Sequence, residues 1–453
     1  MKEKTMLTDL YQLTMNAAYH DNGKADETAT FDLFIRKLPQ DWGYFIANGI
    51  EDAIDYITNI EFSNEDIKFL EQQEFFKPAF IDYQKTFKFE GDVYAVREGT
   101  AVFGNQPILR VTAKRNQAQF VETALLNMIN YQTMIASKAN RVVNAAKDAK
   151  VVDYGLRRAQ EESAAMKGAR AAYIGGAIGT SNVKAGKEYG IKILGTHAHS
   201  FVMSFENEID AFRAYVKTFP NKATLLIDTY DTVEGAKNAA IVAKELEKQG
   251  DRLSAVRLDS GDLCDLSKKV RKILDERGLH YVNIVASNDL NEYKIDDMTK
   301  NGAKIDGYGV GTEMITAKPV AAIPGVYKLV EDNGGAKIKL SPDKKTYPGK
   351  KQVYRVTGAD GKFSHDVLGL EYEGIAGTPL LEKVVSQGKR VTKRRTLEEI
   401  RQHALESVEK LPDHLKQVRV TEQYEMKISD GLNELIERLT QQYGNENNGG
   451  EQK

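Results

Sequence analysis

Two histidines separated by a single alanine are the densest concentration of chemically active side chains in the sequence. They lie in Gly195-Thr196-His197-Ala198-His199-Ser200, whereas the other histidines are dispersed over the 453 residues. An imidazole titrates near neutrality, so it can transfer a proton or carry a phosphoryl group. From the pair alone, a structural histidine held by hydrogen bonds is the better interpretation, and His197 and His199 are candidates only.

Polar and glycine residues follow each apolar run in the middle of the chain, and the histidine pair is one case of this arrangement. A single such segment is explained by turn chemistry, because Asp, Gly, Ser and Asn begin helices in any loop between a strand and a helix. Six segments that carry arginine, the histidine pair and several aspartates favour a binding site, since the carboxyl ends of parallel strands meet at one rim. The segments are residues 153–158, 195–199, 228–231, 259–262, 287–289 and 309–312, and the carboxylates among them include Asp228, Asp259 and Asp262.

Short glycine-containing segments at this rim suit phosphate oxygens. Ser260-Gly261 and Gly309-Val310-Gly311-Thr312 are interpreted as loops with exposed backbone N–H groups. Residues 175–182 are a further candidate, although close packing and a helix cap at Thr180 or Ser181 explain that segment at least as well. The sequence has no Walker A motif, which argues against an ordinary P-loop ATPase.

Alternating strands and helices must position these residues. Helices are predicted over Asp231–Gln249, with Asp231 and Glu234 in capping-box spacing, and over Asp262–Arg277. Repeated βα units of this kind predict a parallel sheet, for which a closed or partly closed barrel fits best and a doubly wound open sheet is the competing architecture. The strands are predicted at 151–152, 191–194, 224–227, 253–258, 281–286 and 304–308.

The two ends of the chain differ from this α/β middle. A β-rich segment at 87–111 and short strands after Thr316 are expected to pair with each other. We therefore predict an N-terminal α+β part at 1–133, a barrel at 134–324 and a C-terminal part at 325–453. This last part is predicted to be β-rich, then helical and highly charged over 395–438, with a disordered tail at 445–453.

The composition excludes several classes of protein. The 63 Lys and Arg residues against 65 Asp and Glu give a net charge of −2, so we expect neither a nucleic-acid partner nor a membrane partner. The single cysteine, Cys264, cannot form an internal disulfide or a cysteine-based zinc site. The first eleven residues lack an apolar segment, so we expect no secretory signal and a soluble, cytoplasmic protein.

Over nearly its full length the chain resembles the nicotinate phosphoribosyltransferase family. Seven ordered segments carry the resemblance, and together they are far more specific than any one of them. They are residues 8–15 (TDLYQLTM), 153–160 (DYGLRRAQ), 195–200 (GTHAHS), 256–263 (VRLDSGDL), 287–289 (SND), 309–312 (GVGT) and 346–351 (TYPGKK).

The resemblance implies an irregular (β/α) barrel of parallel strands packed against a split β-rich α+β domain. It also implies a homodimer that uses Mg²⁺ and converts nicotinate and phosphoribosyl pyrophosphate to nicotinate mononucleotide and pyrophosphate. This reaction is the first step of NAD salvage from nicotinate, and in the family it is coupled to ATP hydrolysis.

The resemblance also assigns roles to single residues. In the family, ATP phosphorylates the histidine of the Thr-x-Ala-His element, which is His199 here, while His197 occupies the variable position. Positions that contact nicotinate or lie near its ring correspond to Tyr11, Thr196, Arg257 and Arg157, and Thr312 corresponds to a contact of the phosphoribosyl donor. We extend this with a catalytic role for Asp259 and binding roles for Ser260, Gly261, Asn288, Gly309 and Gly311.

The residue types agree with this chemistry. Cleavage of the ribose C1–pyrophosphate bond develops positive charge on the sugar and negative charge on the leaving group. An arginine fork suits the nicotinate carboxylate, and Tyr11 could stack on the pyridine ring. Two alternatives remain: a nicotinamide phosphoribosyltransferase, whose uncharged substrate would gain less from arginine, and a non-catalytic phosphoribosyl or nucleotide sensor on the same fold.

Overall fold

The structure is a computed structural model that describes residues 5–341 and 346–448. The chain divides into two units. The split unit combines the residues up to Met134 with Ala322–Lys416 and the residues from Val420 onward, and the barrel unit consists of Ile135–Ala321 with Gln417–Arg419. The corresponding boundaries predicted from the sequence are 133/134 and 324/325.

The first part of the split unit carries α1 (Leu10–Asp21), β1 (Thr28–Ile35), β2 (Phe45–Ile46), α2 (Ile50–Thr58), α3 (Asn64–Gln72), α4 (Pro78–Lys85), β3 (Asp92–Val96), β4 (Ala101–Val102), β5 (Pro107–Lys114), α5 (Arg115–Phe120) and the beginning of α6 (Glu122–Ala146). The barrel unit adds β6 (Lys150–Asp153), α7 (Glu162–Ile174), α8 (Val183–Tyr189), α9 (His199–Met203), α10 (Glu208–Thr218), β7 (Thr224–Leu226), α11 (Thr232–Glu247), β8 (Ala255–Leu258), α12 (Leu263–Asp275), β9 (Asn283–Ala286), α13 (Glu292–Lys300), β10 (Gly307–Val310) and α14 (Thr312–Ile315). The chain then continues through β11 (Gly325–Asp332), β12 (Gly335–Ala336), β13 (Lys351–Thr357), β14 (Phe363–Leu370), β15 (Thr378–Pro379), β16 (Leu381–Ser386), β17 (Lys389–Arg390), α15 (Leu397–Glu409), β18 (Met426–Ile428) and α16 (Asp430–Asn448).

The main sheet of the split unit is assembled from both ends of the chain. Its strands lie in the order β12-β11-β1-β5-β3-β16-β17, so β11 pairs antiparallel with β1 and β16 pairs antiparallel with β3. Seven of the eight residues of β1 are buried, and the ring of Phe31 stacks on Tyr327 of β11 with 4.8 Å between centroids. The prediction that the early β segment pairs with the C-terminal strands is confirmed.

The barrel unit contains five parallel strands in the order β6-β10-β9-β8-β7. Because the last strand, β10, pairs with the first, β6, the order is that of a barrel, and the strand-order reversal of a doubly wound sheet does not occur. Single bridges join Asp153 to Thr180 and Thr180 to Ile193, which extends the ring beyond β6. The barrel fold is therefore confirmed.

One predicted barrel strand is wrong. Residues 191–194 form no strand of the sheet, because only Ile193 bridges to a neighbour, through Thr180. The segment follows Gly190, the residue after α8, and among the described residues its backbone pairs with Thr180 alone, so it lacks the second neighbour that an inner strand of the sheet has. The strand predicted at 304–308 forms a few residues later in the chain, as β10 (Gly307–Val310).

The helices around the barrel follow the predicted patterns. Asp231 caps α11 by accepting a hydrogen bond from the Glu234 N–H at 2.8 Å, and Asp262 caps α12 in the same way. Small residues allow α11 to lie close to the sheet: a Cβ on Gly235 would lie 2.0 Å from the carbonyl oxygen of Ile227. Buried alanines of α11 pack in one cluster with buried residues of β7, β8 and α12.

The C-terminal segment differs from its prediction in two places. The stretch predicted as helical is interrupted by β18, which pairs parallel with β14. The helix α16 continues to Asn448, so the prediction that disorder begins at residue 445 is wrong for 445–448, and residues 449–453 lie outside the described residues. Among the described helices, none is long and apolar enough to cross a membrane.

Candidate active site at the strand ends

His199 is the first residue of α9, and its ring lies between a hydroxyl and two carboxylates. Nδ1 is 3.1 Å from Thr229 Oγ1, and Nε2 is 4.0 Å from both Asp228 Oδ1 and Asp259 Oδ2. Two carboxylates beside Nε2 favour a proton on that nitrogen, which leaves the lone pair on Nδ1 to accept from the Thr229 hydroxyl. The side chain is 39% exposed, so a ligand can reach the ring while the protein determines its orientation.

Asp228 organises the strand ends around this histidine. Its side chain is only 1% exposed, and its Oδ2 accepts hydrogen bonds from the Asp259 N–H at 2.8 Å and the Ser260 hydroxyl at 2.7 Å. Its Oδ1 is buried and has no hydrogen-bond partner in the part of the chain that the structure describes. The Ser287 hydroxyl in turn donates to Asp259 Oδ1, so the ends of β7, β8 and β9 form one polar network.

Arg257, in β8, provides a cation inside the barrel. Its Nη1 donates to Thr196 Oγ1 at 2.5 Å, and its buried Nε has no hydrogen-bond partner in the described parts of the chain. Within residues 5–341 and 346–448, no carboxylate forms an ion pair with Arg257. Burial raises the pKa of the Tyr154 hydroxyl, and the neighbouring Arg257 cation opposes that rise. This uncompensated cation beside two hydroxyls is suited to an anionic ligand group.

A cavity of about 450 Å³ occupies the interior of the barrel unit. Its walls include Val152, Tyr154, Leu194 and Val285, and its lining also includes Thr196. It also reaches residues at the amino-terminal ends of the strands, among them Lys150, Thr224 and Asn283. Arg257 and His199 are not among the lining residues, so the cavity meets the strand-end site at Thr196, the residue to which Arg257 donates.

His197 has a structural position that differs from that of His199. Its Nε2 accepts a hydrogen bond from the backbone N–H of Leu226 in β7 at 3.2 Å, and its Nδ1 is 3.4 Å from the Ala198 carbonyl oxygen. The ring is 8% exposed and packs edge-on against Tyr215, with 4.6 Å between centroids. Burial is the main cause that lowers the pKa of His197 to about 4, so the imidazole is neutral at physiological pH.

This hydrogen bond closes the barrel. The ring of backbone pairings ends on one side at Ile193 and on the other at β7, and no backbone hydrogen bond among the described residues joins 191–194 to β7. The imidazole of His197 takes the place of that missing pairing. The segment that carries Thr196 and His199 is thereby tied to the edge strand, and of the two histidines only His199 has an accessible reactive nitrogen beside carboxylates.

The predicted phosphate segments have the backbone geometry of tight turns. Gly261 has a φ of +79°, and Asn288 and Asp289 have φ values of +84° and +44°, which are left-handed conformations that most side chains disfavour. Gly311 precedes Thr312, the first residue of α14. Ser260, Gly261 and Asn288 are exposed at the strand ends, so a ligand can approach this part of the backbone.

The expectation of an exposed loop at Gly309 is wrong. Gly309 and Val310 belong to β10 and are buried, and a Cβ on Gly309 would lie 2.3 Å from the ring of Tyr154. The glycine is needed because the tyrosine ring occupies the space of a side chain. Its predicted contact with substrate remains a prediction.

Two predicted residues lie apart from the His199 network. Arg157 is exposed in a 3₁₀ turn after β6, and it forms no hydrogen bond or ion pair with the described residues. Tyr11 is 48% exposed on α1 of the split unit, so it belongs to a different unit from the other predicted site residues. Their roles remain predictions from the resemblance.

The packing explanation holds for residues 175–182. A Cβ on Gly175 would lie 2.3 Å from the carbonyl oxygen of Ala136, and Asn182 caps α8 by accepting from the Ala185 N–H at 3.0 Å. The Thr180 hydroxyl donates to Asp153, whose carboxyl has its pKa raised by complete burial. The residue that caps α8 is Asn182, whereas the sequence suggested Thr180 or Ser181.

Sequence reasoning did not assign roles to Thr229 and Ser287, and it gave Asp228 no more than a place among the rim carboxylates. Asp228 and Ser287 directly follow apolar runs and Thr229 comes one residue later, so the strand-end signal that identified the other candidates was present for them as well. Their contacts with His199 and Asp259 depend on which strands are neighbours in the barrel, and the linear sequence does not contain that order.

The site offers a partial set of metal ligands. Among residues 5–341 and 346–448, no group of three or more His, Cys, Asp or Glu side chains could hold a metal ion by itself. The buried, unpartnered Asp228 Oδ1 and the Asp259 carboxylate are nevertheless oxygen ligands of the kind that Mg²⁺ takes, since this ion commonly uses one or two carboxylates and completes its shell with water and substrate phosphates. The residues therefore fit Mg²⁺ that arrives with a phosphorylated substrate.

Comparison with known proteins agrees with the geometry. Models of the nicotinate phosphoribosyltransferase N-terminal domain, family core and C-terminal domain match residues 6–130, 149–345 and 375–436. A nicotinate phosphoribosyltransferase of Mycobacterium tuberculosis is 40% identical over 96% of this chain and 93% of its own length. A protein of the same name from Bacillus subtilis is 45% identical over 77% of this chain and 72% of its own length.

A solved structure leads to the same family. The crystal structure of human nicotinic acid phosphoribosyltransferase superposes with a TM-score of 0.85 at 28% identity, and the match covers 96% of this chain and 100% of the human chain. The similarity extends over both units.

Proposed function

The chain belongs to the nicotinate phosphoribosyltransferase family, and from that membership we propose that it converts nicotinate and phosphoribosyl pyrophosphate to nicotinate mononucleotide and pyrophosphate, coupled to ATP hydrolysis. This reaction is the first step of NAD salvage from nicotinate. The observation that carries the proposal is the Arg257 cation, which has no ion-pair partner among the described residues and donates to Thr196, a residue that lines the interior cavity of about 450 Å³.

Arg257 accounts for the choice of nicotinate over nicotinamide. Nicotinate carries a carboxylate, which a guanidinium can bind with two parallel hydrogen bonds, whereas the uncharged amide gains less from the same cation. The Thr196 hydroxyl orients the guanidinium. The apolar walls of the cavity suit the pyridine ring, and its nitrogen is the atom that forms the new bond to ribose C1.

His199 is the proposed acceptor of the phosphoryl group from ATP. With its proton on Nε2, beside Asp228 and Asp259, the ring presents the Nδ1 lone pair to the γ-phosphorus. The Nδ1–P bond forms as the bond to the β-phosphate oxygen breaks, and ADP leaves. The two carboxylates stabilise the positive charge that the ring acquires, and Thr229 must release Nδ1 before attack.

The strand ends supply the groups for transfer of the phosphoribosyl group. As the ribose C1–oxygen bond breaks, positive charge develops on the sugar, and the Asp259 carboxylate can stabilise it. The N–H groups around Ser260-Gly261, Asn288 and Gly311-Thr312 are proposed to hold phosphate oxygens. Asp228 and Asp259 would hold Mg²⁺ brought by the donor, and Mg²⁺ when bound neutralises negative charge on the pyrophosphate.

Dimerisation is a separate part of the proposal. Apolar side chains near the strand ends are exposed on the barrel unit, with Met203 at 63% and Tyr230 at 66%. A homodimer that covers such side chains agrees with the state implied by the resemblance, and light scattering after size-exclusion chromatography measures it directly. A cytoplasmic location remains a prediction from the sequence.

A side-by-side assay of both bases tests the proposed reaction. Purified protein is incubated with phosphoribosyl pyrophosphate, Mg²⁺ and either nicotinate or nicotinamide, with and without ATP, and the mononucleotides are separated by chromatography. We expect nicotinate mononucleotide as the main product and faster turnover with ATP. Comparable turnover of nicotinamide would contradict the substrate assignment, and no turnover of either base would favour a sensor.

A labelling experiment tests the phosphohistidine. Incubation with γ-labelled ATP followed by peptide mapping is expected to place the label on the peptide that carries His199. Because the same peptide carries His197, the variants His199→Gln and His197→Gln are compared: the first should abolish labelling and the second should retain it. Labelling that survives in His199→Gln would refute the assignment.

A further inference from the structure

The split unit contains a second cavity, independent of the strand-end site. It has a volume of about 310 Å³ and lies among the Arg97–Thr100 turn, α15 and strands β13 to β15. This volume is at the lower end of the range for small-molecule sites and is sufficient for a small organic anion. All of its lining residues belong to the split unit, so its geometry does not depend on the barrel unit.

Arg97 is the unusual residue of this cavity. Its Nε is buried without a hydrogen-bond partner, and within the described parts of the chain the side chain forms no ion pair. Other arginines of the same unit are matched with carboxylates: Arg355 with Asp366, and Arg395 with Glu382. A buried N–H group without an acceptor is costly in a folded protein, so the missing acceptor at Nε points to a ligand, and the charge of the guanidinium favours an anionic one.

The surrounding groups reinforce the preference for an anion. Thr100 donates its hydroxyl hydrogen to the Arg97 carbonyl oxygen at 2.7 Å, so His403 Nε2, 3.0 Å from the same hydroxyl, must be the donor to it. Burial, with Arg97 as the next cause, lowers the pKa of His403 to about 4. The imidazole is therefore neutral at physiological pH, and the nearby cations Arg97, Arg395 and Lys410 add to the effect of burial on its pKa while Glu406 opposes it.

Two more side chains can contact an anion beside Arg97. The Ser407 oxygen accepts a hydrogen bond from the Ala101 N–H at 2.9 Å, which leaves its hydroxyl hydrogen without an acceptor among the described residues. Lys410 lies at the end of α15 and also lines the cavity. A guanidinium, an ammonium and a hydroxyl together match a phosphate better than a carboxylate, because phosphate offers more oxygens and more negative charge.

One part of the remaining lining is apolar, and the rest includes Thr357, Thr378 and the carboxylates of Glu382 and Glu406. Phe363 lines the cavity, and the guanidinium of Arg355 lies 4.5 Å from the centroid of its ring. Pro379 and Leu380 complete the apolar part. A ligand that carries an aromatic body on its phosphate would therefore bury apolar surface in addition to its charge.

We propose that this cavity is a binding site for a small aromatic phosphomonoester, with the phosphate held by Arg97, Lys410 and Ser407 and the body against Phe363. The site is separate from the proposed transferase reaction, and its existence does not depend on that proposal.

Isothermal titration with phenyl phosphate tests the site. Four proteins are compared: the unchanged chain, Arg97→Gln, the rim variant Arg257→Gln and the control Arg438→Gln, which removes an exposed charge from the same unit. We expect Arg97→Gln to weaken one binding event by about 10- to 100-fold, the effect of a lost charged hydrogen bond. The other two variants should keep it.

A second variant and two other ligands complete the experiment. If circular dichroism shows that Arg97→Gln is not folded, Lys410→Gln, a change at an exposed position, takes its place. Inorganic phosphate should bind more weakly than phenyl phosphate if Phe363 contributes, and benzoate should bind more weakly if phosphate is the preferred group. Absence of binding to the unchanged chain, unaltered binding in Arg97→Gln, or equal binding of benzoate would overturn the proposal.

Discussion

Replacing His197 with phenylalanine should destabilise the barrel unit at neutral pH and make its stability less sensitive to acid. The substitution keeps an aromatic ring beside Tyr215 and Phe201 but removes the Nε2 acceptor of the Leu226 N–H. Leu226 is fully buried, so its N–H would lose its partner without access to water. Such an unsatisfied group costs about 1–3 kcal/mol of unfolding free energy.

The pH dependence follows from the lowered pKa of His197. Between an unfolded pKa of about 6.5 and the folded pKa of about 4, the unfolded chain binds a proton that the folded chain does not. Stability is therefore complete above pH 6.5 and falls as the pH is lowered towards 4, by about 2 kcal/mol at pH 5. The phenylalanine variant lacks this loss, so the difference between the two proteins should shrink or disappear at pH 5.

A second variant separates the hydrogen bond from the titration. His197→Gln can still accept from Leu226 through its amide oxygen, but it cannot take up a proton. It should be close to the unchanged chain at pH 7.5 and more stable than the unchanged chain at pH 5. His403 also has a pKa lowered to about 4, but it is present in all three proteins, so its contribution cancels.

Urea unfolding at pH 7.5 and pH 5.0 measures these differences. Circular dichroism follows the whole chain, and hydrogen–deuterium exchange of peptides that carry β7 reports on the barrel unit. If His197→Phe differs from the unchanged chain by the same free energy at both pH values, titration of His197 does not contribute to stability. If the Leu226 amide exchanges at the same rate in all three proteins, the hydrogen bond from Leu226 to His197 does not stabilise β7.

Three further substitutions test the strand-end site. Arg257→Ala should raise the KM for nicotinate about 10- to 100-fold with a smaller effect on the donor KM, as expected for a lost charged hydrogen bond, and an unchanged nicotinate KM would make Arg157 the next candidate. His199→Ala should still bind both substrates in equilibrium titrations but lose all stimulation by ATP, and full stimulation would rule out its phosphorylation. Gly309→Ala should destabilise the barrel by about 1–3 kcal/mol, because its Cβ would lie 2.3 Å from the Tyr154 ring, and an unaltered melting temperature would contradict the observed packing.

Much of the local structure could be predicted because its causes are local. The caps at Asp231 and Asp262 lie three residues before the N–H groups they bind, so the pattern of a few neighbouring residues is sufficient. The prediction of a strand at 191–194 was wrong because strand formation is not decided locally. The apolar residues of this segment suit a strand, but no neighbouring ladder is available to pair with it on both sides. Strand formation depends on partners that are distant in the sequence.

By itself, the sequence determined the alternation of strands and helices, the polar rim and the segments that the family shares. These features depend on side-chain type and short-range spacing. The family resemblance assigned different roles to His197 and His199, but only the tertiary structure gave the physical reason, because the two share the same local context and differ in what lies across the barrel. His197 meets the Leu226 N–H and is buried, whereas His199 meets Asp228 and Asp259 and remains accessible. The same holds for Arg257, whose unpaired charge becomes evident only when the strands around it are in place.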